Sequence, residues 1–544
     1  MSMNIDRRQL MALGTFGLGA LSVPASAALL GAKGFTHGVA SGEPSQSSIL
    51  LWTRYVGNGD VKLTAEISAN ADFSGAKIAG EVEALADRDH IAKITAHGLD
   101  PNGWYFYRFI APDGSKSAVG RTRTLPEGPT AQFNIGVVGC SNLPFGYFNA
   151  YAHAAQNREL DLMVHTGDYL YEYPVGTYPS KEQALSGRVI YPTSEIIELA
   201  DYRLRYAAYR NDPDLQRLHQ VLPMIAMWDD HEFTNDAYTD GAENHDASEG
   251  DWEVRKRIAE RVYREWMPVS DKDYGLPRWS EYQIGDLATL FVTESRISAR
   301  DKQLDLGEAL AGQENIQKVI ESFRDNIWQD PSREMIGSEQ TAWLASAMRK
   351  SKGSGTKWQV WSQQCVMGEL KLPQEATNWV SPDAPAFAKE RLAVGALAAK
   401  MGLPINFDSW DGYPKARERA LKNAQAADAD LIVLSGDSHN GWAFNLETAD
   451  GQAGVEFGGH SVTSPGIESY LSGASPEVAA NALREANGQL QWTDTSNRGY
   501  MTVALTPEKA ISTWHFLDTI RAKSTSMRGS ASQTVLRGAN RLQM

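Results

Sequence analysis

The chain has 544 residues, a formal net charge of −15, 42% apolar residues and two cysteines. That length exceeds one small core and implies two or three domains, or one large α/β domain with an appendage. The charge argues against a nucleic-acid-binding surface, two cysteines exclude a disulfide framework, and fifteen tryptophans with twenty tyrosines supply buried anchors that disordered chains lack.

The first residues place Arg7 and Arg8 before an apolar stretch that ends in Ala25-Ser26-Ala27. This is the order of a secretory signal with a small-residue cleavage site, and the paired arginines point to the twin-arginine route. Residues 1–28 are therefore expected to be a twin-arginine signal peptide. The apolar run is short and interrupted by Gly14, Gly17, Gly19 and Pro24, so no permanent membrane span is expected. The expected partner is the twin-arginine export machinery, and the expected location is periplasmic or secreted.

From Phe35 to Pro126, short β-rich runs such as "SSILLWTRY", "VKLTAEIS", "HIAKITAHGL" and "WYFYRFIA" are separated by Gly, Asn, Asp and Pro. Residues 34–127 read as a small antiparallel β-sandwich of immunoglobulin-like size. After a linker at 121–132 the pattern changes to strands alternating with helices. Strands are predicted at 133–140, 161–167, 221–229, 286–294, 357–364 and 430–436. Helices are predicted at 148–159, 195–220, 252–266, 314–326, 338–350 and 414–427. Such alternation predicts an α/β, or α+β layered, domain of β-sheets flanked by helices over 133–522. Residues 523–544 are small, polar and basic, and read as a loose tail.

Chemistry-bearing residues gather where strands end, which is where open α/β sheets bind ligands. Cys140 ends the first such strand. Asp168 ends the second, with Tyr171 three residues on. "WDDHEFTND" follows the third and carries Asp229, Asp230, His231, Glu232, Asn235 and Asp236. Glu294 and Arg296 end the fourth, and Asp437 and His439 the fifth. A lone strand-terminal Gly-Asp is commonly a turn or a helix cap. His165, inside its apolar strand, reads as a core histidine. Jointly, the carboxylates and imidazoles are expected to meet at one edge of a sheet and to suit two or more cations, the arrangement used for in-line displacement at phosphorus. Hydrolysis of a phosphate ester is the expected chemistry.

The phrases "FTHGVASGEP", "ILLWTRY", "GLDPNGWYFYRF", "HTGDYLYEY", "DYRLRYAAYRNDPDLQRLH", "WDDHEFTND", "SWDGYPKARERAL", "VLSGDSHN" and "TSPG" occur in this order. Together they resemble the PhoD-type alkaline phosphatases, a branch of the calcineurin-like metallophosphoesterases. The resemblance implies Fe3+ held by Cys140, Asp168, Tyr171 and Asp437. It implies Ca2+ held through Asp168, Asp230 or Asn235, and His439. His231 is expected to face the substrate and to stabilise or protonate the leaving oxygen, and Arg296 to meet a phosphate. The expected enzyme is an exported phosphoesterase acting on mono- and diesters through a metal-bound hydroxide. Two alternatives stand beside it: a phospholipase D-like or teichoic-type polymer phosphodiesterase, and a non-catalytic exported phosphate- or metal-binding protein. The chain departs from the pattern at Glu294 (one methylene longer than the usual aspartate), at Ser270 and at Cys365. A Cys140–Cys365 disulfide remains open against the ligand role of Cys140.

Overall fold

The computed structural model of the protein describes residues 31–271, 278–380, 386–469 and 473–543. The segment read as a signal peptide lies outside them. The strands in chain order are β1 (Gly34–Gly42), β2 (Ser48–Val56), β3 (Val61–Ser68), β4 (Lys77–Ala84), β5 (Ile91–His97), β6 (Trp104–Ile110), β7 (Gly120–Arg123), β8 (Phe133–Val138), β9 (Leu162–His165) and β10 (Met224–Ala226). They continue as β11 (Ser280–Ile284), β12 (Ala288–Val292), β13 (Trp358–Ser362), β14 (Leu431–Ser435), β15 (Gly441–Thr448), β16 (Gly451–Gly458), β17 (Leu490–Asp494), β18 (Gly499–Leu505), β19 (Lys509–Leu517) and β20 (Met527–Leu536).

They form a nine-stranded sheet in the order β20-β19-β18-β8-β9-β10-β1-β2-β5, a seven-stranded sheet in the order β11-β12-β13-β14-β16-β15-β17, and a four-stranded antiparallel sheet, β4-β3-β6-β7. The parallel heart of the first is β8-β9-β10 and that of the second is β12-β13-β14-β16. These strands read as unbroken apolar runs because both of their faces are covered. Ile135, Val137, Val164 and Ile225 of the larger sheet pack against Leu290, Val360, Ile432 and Val455 of the second. The helices Leu199–Arg210, Pro213–Val221 and Trp252–Trp266 contribute the apolar layer outside the larger sheet, and Gly337–Gly353 and Pro414–Ala426 the layer outside the other. The result is the expected layered α/β architecture.

The N-terminal expectation is extended and the C-terminal one corrected. The N-terminal strands do build a sandwich core around Val39, Leu51, Tyr107 and Phe109. It is not free-standing, because β1 pairs in parallel with β10 at Gly42–Met224 and so carries β1-β2-β5 into the nine-stranded sheet. The tail is not loose either. Within 523–544, β20 pairs antiparallel with β19 from Leu536–Lys509 to Met527–Leu517. Its small polar residues alternate outward while Val535, and Leu542 beyond it, are buried in the inter-sheet core. Deleting residues 527–544 is therefore expected to cost about 4 kcal/mol through these two side chains alone. Urea unfolding of the truncated and full chains checks this, and coincident transitions would show β20 to be dispensable.

Candidate metal centre

The strand ends of both sheets open onto one buried polar cluster. β8 runs into Cys140, β9 into Asp168, β10 into Asp229–Glu232, β12 into Glu294–Arg296 and β14 into Asp437–His439. The site thus lies where two sheets meet, and not along the edge of one as expected from the sequence. Four of these residues have left-handed backbones: Cys140 (φ 56°), Asp168 (φ 54°), Asp437 (φ 61°) and His439 (φ 65°). Non-glycine residues pay for such a conformation, and strain of this kind clusters at functional sites. Gly167 has φ 109°, and a Cβ there would stand 2.4 Å from Asp229 Cβ. Only glycine lets the β9 and β10 loops approach this closely.

Two sets of ligand-capable atoms, each within 4.8 Å of one another, share Asp168: Cys140 with Asp168 and His439, and Asp168 with Asp230 and His231. A third set joins Asp229, Asp230 and Asp437. Tyr171 belongs with the first, since its hydroxyl donates to Asp168 Oδ2 at 3.0 Å and lies 3.2 Å from His439 Nε2. The other His439 nitrogen, Nδ1, is 2.7 Å from the Pro465 carbonyl, which leaves Nε2 directed into the cluster. His439 thus stands with Cys140 and Asp168, and Asp437 with Asp229 and Asp230. The backbone N–H of Asp437 still faces the Cys140 thiol. Asn235 turns away, donating from Nδ2 to Glu243 at 3.1 Å and from its backbone to Glu172 at 2.9 Å.

Arg296, expected to meet a phosphate, is fully buried among carboxylates. Its Nε donates to Asp229, Nη1 to both oxygens of Asp408 at 2.7 and 2.9 Å, and Nη2 to Asp437 at 3.1 Å, with Asp230 3.7 Å away. It holds carboxylates in place. Glu294 likewise serves its own loop, accepting from Trp228 Nε1 and from the backbones of Arg296, Ile297 and Ser298. Glu232 accepts from the backbones of Asp168, Tyr169 and Asp229 and ties the β9 and β10 loops together. His165 is the expected core histidine, 2.9 Å from the Tyr151 hydroxyl.

Glu172 and Asp408 were not singled out from the sequence. Glu172 Oε2 lies 2.7 Å from His231 Nδ1, while its Oε1 accepts from Asn244 and the Asn235 backbone. These bonds, with the charge of His231, overcome the effect of burial and hold its carboxyl down at about 2. Burial alone would lower the His231 pKa, but Asp230, Glu172 and Asp168 outweigh it and raise the value well above the ordinary one. Asp408 neutralises both Arg296 and Arg300. It sits in "NFDSWDG", which follows no predicted strand, and Glu172 stands five residues past the end of one, so the strand-end rule passes over both.

The same cluster tests whether cations fit. Burial first, and neighbouring carboxylates next, push Asp168 and Asp229 well above the usual carboxylate range. Asp168 Oδ1, Asp229 Oδ2 and Asp230 Oδ1 are buried without a hydrogen-bond partner. Unpaired carboxylate oxygens facing one another are costly unless a cation sits among them. The donor set therefore fits metal ions.

Against known proteins, the model of the family described as PhoD-like phosphatase matches residues 135–514, and that of its N-terminal domain matches residues 22–126. The chain belongs to the PhoD-like phosphatase family. It is 32% identical over 502 residues to alkaline phosphatase D of Bacillus subtilis (strain 168), covering 87% of this chain and 76% of that one. A solved structure described as "Structure of PhoD" superposes with a TM-score of 0.74 at 27% identity, over 94% of this chain and 92% of the other. This PhoD-like phosphatase is accordingly a metal-binding phosphoric ester hydrolase. Among the described residues, no helix is long and apolar enough to cross a membrane.

Both cysteines are free and buried, which removes the disulfide alternative from this structure. Cys365 lies 3.8 Å from Arg300 Nη1, beside a carboxylate already neutralised by two guanidinium groups. Cys365→Ala should accordingly leave metal content unchanged. Cys140→Ala should lower it, with elemental analysis of the two purified variants as the check.

Proposed function

We propose that this phosphatase hydrolyses phosphate mono- and diesters at a centre of at least two cations for which Asp168 is the shared ligand. The supporting observation is that Asp168 stands with Cys140 and His439 on one side and with Asp230 on the other, while its Oδ1 has no other partner. The thiol of Cys140 and the phenol of Tyr171, with Asp168 and His439, suit a trivalent cation such as Fe3+. The carboxylate oxygens of Asp168 and Asp230, with Asp229 close by, suit Ca2+. Bound there, the cations would supply Lewis acidity and a nucleophile drawn from water near neutral pH.

The chain's own residues supply the rest. Asp229, Asp230 and Asp437 are kept in register by the Arg296 guanidinium, which Asp408 anchors. His231 is fixed through Nδ1 by an ionised Glu172, leaving Nε2 to donate a proton to the leaving oxygen. Its ring lies 4.1 Å from that of Tyr171. We further propose export by the twin-arginine route, a reading supported by Arg7, Arg8 and the small-residue site near Ala27.

The test follows p-nitrophenyl phosphate and bis-p-nitrophenyl phosphate turnover through chelation and metal return. Both activities should vanish together and recover together. Turnover that survives complete metal removal would overturn the proposal.

A further inference from the structure

Arg210 ends the helix Leu199–Arg210 in the layer between that helix and the strands β1 and β2, and it is fully buried. A guanidinium cannot shed its proton inside a protein, so where water is excluded its charge needs a counter-charge or a full set of acceptors. Among the described residues none is provided, since no carboxylate lies within 4.0 Å of it. Its Nη1 donates to the Tyr169 hydroxyl at 3.4 Å, while Nε and Nη2 have no partner at all. Other fully buried arginines of this chain are satisfied: Arg255, Arg264, Arg296 and Arg300 meet carboxylates, and Arg205 donates to the carbonyls of Tyr171, Tyr191, Pro192 and Ser194.

The surroundings offer further unpaired donors. Arg210 stacks on Trp52 at 4.2 Å, Trp52 lies 6.2 Å from Trp266, Trp266 6.4 Å from Tyr206, and Tyr206 6.1 Å from Tyr169, whose hydroxyl returns to Arg210. The five side chains close a ring. Trp266 Nε1 and the Tyr206 hydroxyl are buried and unpartnered, as are both nitrogens of His37, whose imidazole meets Trp266 edge-on at 5.0 Å. The Ala207 carbonyl faces that imidazole without reaching hydrogen-bonding geometry. Burial first, then Arg54 and Arg210, lower the His37 pKa to about 3, so it adds a donor without adding charge. An indole N–H and a guanidinium can only donate.

We infer that this ring is a binding site for one small monovalent anion, a halide, held by Arg210 Nε and Nη2 together with the unpaired donors of Trp266, Tyr206 and His37. A halide accepts from every direction, donates nothing and supplies the missing negative charge. Water can bridge donors but cannot neutralise a guanidinium. The anion would tie β1 and β2 to the two helices that pack on them, a structural role separate from the metal centre.

Protein exchanged into bromide and diffracted at the bromine absorption edge should show one anomalous peak within hydrogen-bonding reach of Arg210 Nε and Nη2. At constant ionic strength, the melting temperature should rise by about 1 °C for each tenfold increase in bromide or chloride above the dissociation constant, and not respond when gluconate replaces halide. Arg210→Met should abolish both the peak and the halide response. Should that variant fail to fold, the wild-type peak and halide response decide the matter alone. Ordered water in place of a peak, a carboxylate swung onto Arg210, or melting that ignores halide would each overturn the inference.

Discussion

Asp168→Asn is expected to lower kcat by about 10³-fold or more on every phosphate ester, because a ligand shared by two cations contributes several kcal/mol of transition-state stabilisation. The substitution keeps shape and volume, so it isolates charge. Asp168 Oδ2 would still meet the Tyr171 hydroxyl, and the Asp168 backbone N–H would still donate to Glu232. Its buried position beside Asp229 and Asp230 makes the carboxylate costly to the apoprotein, so the variant should melt no lower than wild type once metal is removed. Steady-state kinetics with chelated and reloaded protein separate the two effects. A loss of activity matched by an equal loss of apoprotein stability would make Asp168 structural.

His231→Ala should be the second most damaging change, and its signature is selectivity. A proton donor contributes about 10²–10⁴-fold, realised only where the leaving oxygen is basic. Alkyl phosphates should therefore lose about 10³-fold in kcat, and nitrophenyl esters less than about tenfold. Glu172→Gln should show the same bias in milder form, since it removes one of the charges that keep His231 protonated while Thr234 and Asn244 can still bond the side chain. Parallel losses on both substrate types, accompanied by metal loss, would assign His231 to the ligand set of Asp168 and Asp230 instead.

Much of this was legible in the sequence, for identifiable reasons. Apolar strands ending in a polar residue, as in "GVVGC", "LMVHTGD" and "LIVLSGD", state both the element and the site, because a buried parallel strand can change character only at its end. What stayed hidden depends on contacts between distant segments. Nothing local tells that β10 belongs to one sheet and β14 to another, and so the centre was expected at one edge. Arg296 was expected to meet substrate because an arginine at a strand end suits a phosphate. Only the packing of "NFDSWDG" beside it shows Asp408 claiming the guanidinium. The polar composition of the C-terminal segment concealed β20, whose exposed face is polar while Val535 alone carries its burial.

The most direct test of Asp168 as a ligand to more than one cation is elemental analysis of protein purified without chelators, with turnover assayed on the same sample. At least two metal ions per active chain, iron among them, are expected. Full activity in protein carrying one metal ion or none would contradict that role.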